Sequence, residues 1–386
     1  MSIVSSKMKE CVRGTRPRTH FFNPGYESSV ALGDKSYTPS GMVQMMRRDL
    51  WELPYYYADK GDTVLCPYDL PSSQDLSGYE LCPWGWAPEL RYGRLSELVP
   101  YSYDEMKQWS SRHNTYLLLS ELIRLYPDVY SEDILPQVID PTLPSIVIEA
   151  TKSYVLKEEF SSSGRGVIFA KGAEISDLIR RRQNKSSSKR IYLEPRHNKI
   201  SDRGYEFVRQ EDGKVIYVGP SDFYTIEGRY NGNRVERPEI IHERWRSTAT
   251  SVSHDTYVNH LVHAIEALPL GRYHGPIGID TMVHEEGGRL HLHPCIEVNV
   301  RTTMGWLALA LGEHYLGDST TGLFELKYYS SPEVLQKELR PTLTSTTPLY
   351  RSPRNMPLPP GRYLLTTLTP GTRFVAILTI SHTIHK

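Results

Sequence analysis

The sequence predicts an α/β protein in which a small α+β lid faces a larger C-terminal antiparallel sheet, behind an N-terminal half built on parallel strands. Three stretches carry that expectation. Residues 272–306, RYHGPIGIDTMVHEEGGRLHLHPCIEVNVRTTMGW, read as an apolar strand ending near Asp280, an EEGG turn and a returning strand. Residues 153–170, SYVLKEEFSSSGRGVIFA, read as a strand, a polar Gly/Ser loop and a strand. Residues 18–66 read as strand, helix, strand, the pattern of a parallel unit.

A chain of 386 residues is too long for one small core and predicts two or three sub-domains. The formal net charge is zero, which excludes a global electrostatic case for nucleic acid or a membrane surface; any basic site must be local. Cys11, Cys66, Cys82 and Cys295 lack C-x-x-C spacing and are too sparse for a disulfide scaffold. No window approaches the roughly 18 apolar residues of a spanning helix, and the first residues contain no apolar signal region. A soluble, cytoplasmic protein is the expectation.

In chain order, RTHFFNP opens as a strand broken at Pro24-Gly25, and residues 25–40 read as a polar loop. A nucleotide-binding P-loop at Gly33-Asp34-Lys35-Ser36 is excluded, because no Gly directly precedes the Lys. Thr38 or Ser40 caps a helix through residues 42–59, and residues 62–66 form the second strand of a Rossmann-like half. Residues 67–100, with the aromatic cluster CPWGWAP, read as a packed surface loop. Residues 103–125 are helical with an interruption near Ser110-Ser111. After the lid strands come a short helix at EISDLIRRRQ, a strand at IYLE and a hairpin turning at Glu211-Asp212-Gly213. Residues 247–268 form a helix that buries Tyr257, Leu261, Val262, Ile265 and Leu268. Beyond the central hairpin, the tail from 331 reads as a Pro-rich connection and a terminal hairpin. The predicted units are 1–111, 112–195, 196–330 and 331–386.

Alternation along the returning strand puts Glu297, Asn299 and Arg301 on one face and Ile296, Val298 and Val300 on the other. Asp280, Glu297 and Asn299 together offer hard oxygen ligands of the kind Mg2+ takes while it also holds substrate phosphates. Lys157 ends a strand directly before Ser161, Ser162, Ser163 and Gly164, so its ammonium and the loop amides can face one anion, and phosphate is the expected anion. On that basis Lys157→Ala is expected to weaken nucleotide binding while leaving the fold intact. By the same alternation His291, His293 and Cys295 share a face with Glu297. They read either as a transition-metal site or as polar lining; Pro294 bends the strand and no further ligands stand at zinc-like spacing, which favours lining. Thr302-Thr303 caps the helix MGWLALALGEHYL, whose first amides can face a carboxylate or acyl phosphate.

Over about residues 112–305 these motifs, K-x-x-x-S-S-S-G-R-G-V from Lys157, I-Y-L-E at Glu194, G-I-D at Asp280 and I-E-V-N-V-R ending at Arg301, resemble the ATP-grasp superfamily in order and spacing. The resemblance implies an N-terminal Rossmann-like pre-ATP-grasp domain, a lid and a C-terminal domain that holds ATP and Mg2+, with Mn2+ as a possible substitute. It implies that Lys157 contacts the nucleotide, that Ser161 to Gly164 cover the phosphates, that Glu194 lies beside the adenine and that Glu206 meets the ribose. Asp280, Glu297 and Asn299 fall on metal-ligand positions and Arg301 on the arginine that stabilises transferred phosphate. The lysine common upstream of the lid has no counterpart, so Arg112 is the best-placed cation, and Arg229 resembles the basic residue aimed at the triphosphate. The implied activity is ATP-dependent ligation of a small-molecule carboxylate, such as an amino acid or peptide, to an amine through an acyl phosphate. A kinase of the same fold and a nucleotide-binding protein without turnover are the alternatives.

Overall fold

The computed structural model describes residues 16–34, 37–68, 75–140, 148–160, 166–183, 190–248 and 250–383. Its N-terminal part is a three-stranded parallel sheet, β1 (Arg18–Phe21), β2 (Thr63–Val64) and β3 (Glu80–Pro83), in the order β2-β1-β3. The strand, helix, strand expectation holds, with α2 (Gly41–Leu50) between β1 and β2 and the Ser40 hydroxyl capping it. Two expectations change. Residues 25–40 contain α1 (Glu27–Leu32), and β3 runs through a stretch that reads as loop because its four residues offer too short an alternation.

The expected interruption at Ser110-Ser111 separates α3 (Tyr103–Ser110) from α4 (His113–Leu125), and α3 opens on a capping box between Ser102 and Glu105. Next comes the lid sheet: β4 (Gln137–Ile139), β5 (Ser153–Glu158), β6 (Val167–Lys171) and β7 (Ile191–Pro195), in the order β4-β7-β5-β6, backed by α5 (Gly172–Gln183). Its own small core joins Ile139, Tyr154, Leu156, Ile175, Ile179, Ile191 and Leu193. Helix α4 belongs to a different packing, since Leu118, Leu119 and Leu122 are buried with the large sheet.

That large sheet has eight strands, all neighbours antiparallel: β8 (Asn198–Arg209), β9 (Val215–Ile226), β10 (Arg229–Val235), β11 (Gly275–Glu286), β12 (Arg289–Asn299), β13 (Thr320–Tyr328), β14 (Gly361–Leu364) and β15 (Phe374–His382). Their order is β12-β11-β8-β9-β10-β13-β15-β14. The tail forms the expected terminal antiparallel pair, β14 and β15, and β15 also pairs with β13, so that pair completes the large sheet. Helices cover both faces. On one, α4, α6 (Pro238–Ser247) and α7 (His254–Glu266) bury Trp245, Tyr257, Leu261 and Ile265 against Tyr205, Phe207, Ile277 and Ile279. On the other lies α8 (Met304–Tyr315), with Trp306 and Leu309 against Val208 and Val218, and α9 (Pro332–Glu338) packs near β15. Among the described residues no helix is long and apolar enough to cross a membrane.

Close packing of α8 depends on Gly305, where an added Cβ would stand 2.0 Å from Glu206 Oε1 and 2.2 Å from Ser221 Oγ. Gly305→Ala is expected to cost at least about 1–3 kcal/mol, read as a lowered melting temperature. Gly41→Ala, which meets open space at the start of α2, is expected to leave it level or raise it.

Candidate active site

Strand register assembles the acidic end. Asp280 on β11 stands opposite Glu297 on β12, and Gly278 opposite both Asn299 and, on β8, Glu206. Ile277, Ile279, Val298 and Val300 turn into the core, so the carboxylates occupy the face on which α8 begins. Asn299 Nδ2 donates to Asp280 Oδ2 at 3.1 Å, and Arg301 Nη2 donates to Asn299 Oδ1 at 2.9 Å. Arg301 also reaches Glu27 of α1 at 3.8 Å, tying the N-terminal part to the site.

A register shift follows. Asp280 pairs with Glu297 but Met282 pairs with His293, so β12 carries two extra residues across Pro294, Cys295 and Ile296. Simple alternation fails there, and Cys295 points into the apolar core instead of sharing a face with Glu297. The bulge also frees carbonyls. Ile296 O accepts from Lys157 Nζ at 3.1 Å and Pro294 O accepts from the Tyr257 hydroxyl. Lys157 reaches there from the end of β5, and its ammonium pairs with Glu194 Oε2 of β7 at 2.6 Å. Arg112 closes the same cleft from the start of α4, with Nε donating to Glu158 O at 3.1 Å and Nη2 to Glu297 Oε1 at 2.9 Å. Lid and sheet are thus joined by two cations, each contacting the β12 segment 296–297.

Glu206, the expected ribose contact, is only 2% exposed, with Oε1 accepting from Ser221 Oγ at 3.2 Å and Oε2 from Thr303 Oγ1 at 2.8 Å. Thr303 meanwhile accepts from Trp306 N and caps α8, so the carboxylate beside this helix start is the protein's own. Burial raises the Glu206 carboxyl to about 7, with the two hydroxyls and Arg301 pulling the other way. Asp280 is pushed well above the usual carboxylate range by burial, then by Glu297 and Glu206, against Arg301 and Asn299. A raised folded-state pKa means stability that is full below the unfolded value near 4.5 and lost as pH rises through about 7. The apo protein is expected to lose up to about 3 kcal/mol between pH 4.5 and 8 through Glu206. Glu206→Gln should flatten that decline in melting temperature, and an unchanged slope would count against the assignment.

Arg229 is not gathered in: it is exposed at the β9–β10 turn, where neighbouring Gly228 packs beside Phe169 and Val167 of lid strand β6. Ser161, Ser162, Ser163 and Gly164 lie outside the described residues. Sequence reasoning missed a cavity of about 470 Å³ whose wall includes Arg18, His20, Glu80, Trp84, Arg301 and Trp306. A quarter of that wall comes from β1 and the CPWGWAP stretch, which is therefore more than a surface loop. The available signal was two tryptophans around a glycine, Gly85, where a Cβ would stand 2.1 Å from the Tyr26 ring.

No protein-family model and no curated protein matches the sequence. Solved structures similar to the chain include N5-carboxyaminoimidazole synthetase from Staphylococcus aureus complexed with ADP, at 11% identity over 96% of this chain and 94% of that one, TM-score 0.47. N5-carboxyaminoimidazole synthase from Aspergillus clavatus, in complex with ADP and 5-aminoimidazole ribonucleotide, is similar at 10% identity over 95% of each chain, TM-score 0.49. Biotin carboxylase from Campylobacter jejuni is similar at 12% identity over 94% of this chain and 87% of that one, TM-score 0.46.

Proposed function

We propose that the chain is an ATP-dependent ligase of the ATP-grasp kind, joining a small-molecule carboxylate to an amine. The observation that carries this is one cleft in which a lid cation, Lys157, and an oxygen-ligand set, Asp280, Glu297 and Asn299, meet beside Arg301, which also lines a separate 470 Å³ cavity. The adenine end lies at Glu194, the phosphates run along Lys157 and Arg112 toward Asp280 and Glu297, and the acceptor occupies the cavity. A donor set of oxygen atoms only, whose Asp280 is driven toward protonation by burial and then by neighbouring carboxylates, fits a hard divalent cation such as Mg2+, with Mn2+ as a substitute. When bound, that cation supplies charge neutralisation of the phosphates.

The chain's residues then orient the reactants. A substrate carboxylate oxygen in the cavity attacks the γ-phosphorus, forming an O–P bond as ADP departs, and Arg301 balances the charge on the transferred phosphoryl group. The amine nitrogen attacks the acyl carbon and inorganic phosphate leaves. The site offers cations and oxygen ligands and asks for no nucleophilic side chain, as expected where positioning and electrostatics do most of the work. Arg18 supplies a cation and Trp84 an apolar wall, a pairing suited to an amino acid or short peptide. Thermal-shift screening of amino acids and short peptides with Mg-ATP present tests the reading: Mg-ATP should raise the melting temperature, and a carboxylate from this class should raise it further. No response to Mg-ATP would remove the basis of the proposal.

A further inference from the structure

We propose that the far half of the β11–β12 hairpin carries a second metal site, in which His197, His284 and Glu286 hold a borderline divalent transition-metal ion such as Zn2+. Alternation puts Met282, His284 and Glu286 on one face of β11, and the register His284↔His291 and Met282↔His293 puts two more imidazoles beside them on β12. His197 stands just before β8, whose Asn198 and Lys199 pair with Glu285 and His284, so its ring comes over the same face. The His197 and His284 ring centroids are 4.3 Å apart, His197 and His293 5.4 Å, and His284 and His291 5.6 Å.

One ligand atom each from His197, His284 and Glu286 lies within 4.8 Å of the others, a grouping found nowhere else among the described residues. Tetrahedral bonds of about 2.0–2.1 Å set ligand atoms roughly 3.3 Å apart, a closure within reach of side-chain rotation. His284 is only 6% exposed and its Nδ1 has no hydrogen-bond partner, an arrangement that costs free energy unless something binds there. Two nitrogens and one carboxylate oxygen, with His293 or His291 flanking, suit Zn2+, Co2+ or Ni2+ over Mg2+. The bulge turns Cys295 into the core, and alternation leaves His284 on the same face of β11 as Asp280 but farther along the strand.

The test uses the full chain, stripped with chelator and dialysed against Zn2+ alone, with retained metal counted by mass spectrometry and Co2+ absorption as a second readout. Wild type should retain one equivalent through His197, His284 and Glu286, and its Co2+ form should show visible bands of low coordination number. His197→Ala and Glu286→Ala, at partly exposed and exposed positions, should each weaken retention about tenfold or more at unchanged melting temperature, and Glu297→Gln should retain Zn2+ as wild type does. Absence of retention by wild type, equal retention by the two variants, or loss confined to Glu297→Gln would each overturn the site.

Discussion

Glu297→Gln is expected to reduce turnover by at least about a hundredfold and to raise the Mg2+ concentration needed for activity, while the apo protein melts at nearly the wild-type temperature. The substitution preserves size and leaves an amide oxygen for Arg112, which also keeps its bond to Glu158 O. Two changes oppose each other in the apo state. Arg112 loses an ionic partner that is one-third exposed, and Asp280 loses its nearest repelling carboxylate. Partly exposed pairs contribute about 1 kcal/mol or less, so the two nearly cancel. Under the proposed function nucleotide binding has no such compensation, because the removed charge is one that a divalent cation on this face would require. Melting temperatures with and without Mg-ATP separate the readings. A wild-type-sized shift in the variant would remove Glu297 from the metal set, and a large apo destabilisation would make it structural.

The second large effect concerns Lys157. Its position at the end of a strand beside a Gly/Ser loop predicts a residue dispensable to the fold, and the structure corrects this. Lys157 is 7% exposed, paired with Glu194 and bonded to Ile296 O, so Lys157→Ala strands a carboxylate and a carbonyl and costs about 1–3 kcal/mol. The informative variant is therefore the double one, Lys157→Met with Glu194→Gln, which removes both charges at similar volume. It should recover most of the stability lost in Lys157→Ala and still bind Mg-ATP about tenfold or more weakly. Wild-type nucleotide affinity in the double variant would take Lys157 out of the phosphate path.

The legible parts of the chain were those whose signal is local. The β11–β12 hairpin announced itself through alternation and the EEGG turn, where Gly287 and Gly288 take positive φ. The α3–α4 break showed in Ser110-Ser111, and β1 with its helix showed in the apolar run and cap. What could not be read depends on partners distant in sequence. HLHPCIEVN looks like one continuous strand, and only its pairing with β11 shows that Pro294 to Ile296 bulge out, turning Cys295 inward and aiming Ile296 O at Lys157. GYEFV places Glu206 on a strand without telling which face is covered, because the cover comes from Gly278, Thr303 and Gly305. The near-continuous apolar run of β15 was a missed signal, since such a run marks a strand buried on both faces, here one that joins the terminal β14–β15 pair to β13 of the large sheet.

The central claim, ligation through an acyl phosphate, is tested most directly by the stoichiometry of products from Mg-ATP in the presence of pooled amino acids and short peptides. ADP and inorganic phosphate should appear together in equal amounts, at a rate raised by these carboxylates and amines and not by sugars or polyols. ADP formed without free phosphate, with the phosphoryl group retained on a sugar or polyol, would contradict the account and make the chain a kinase.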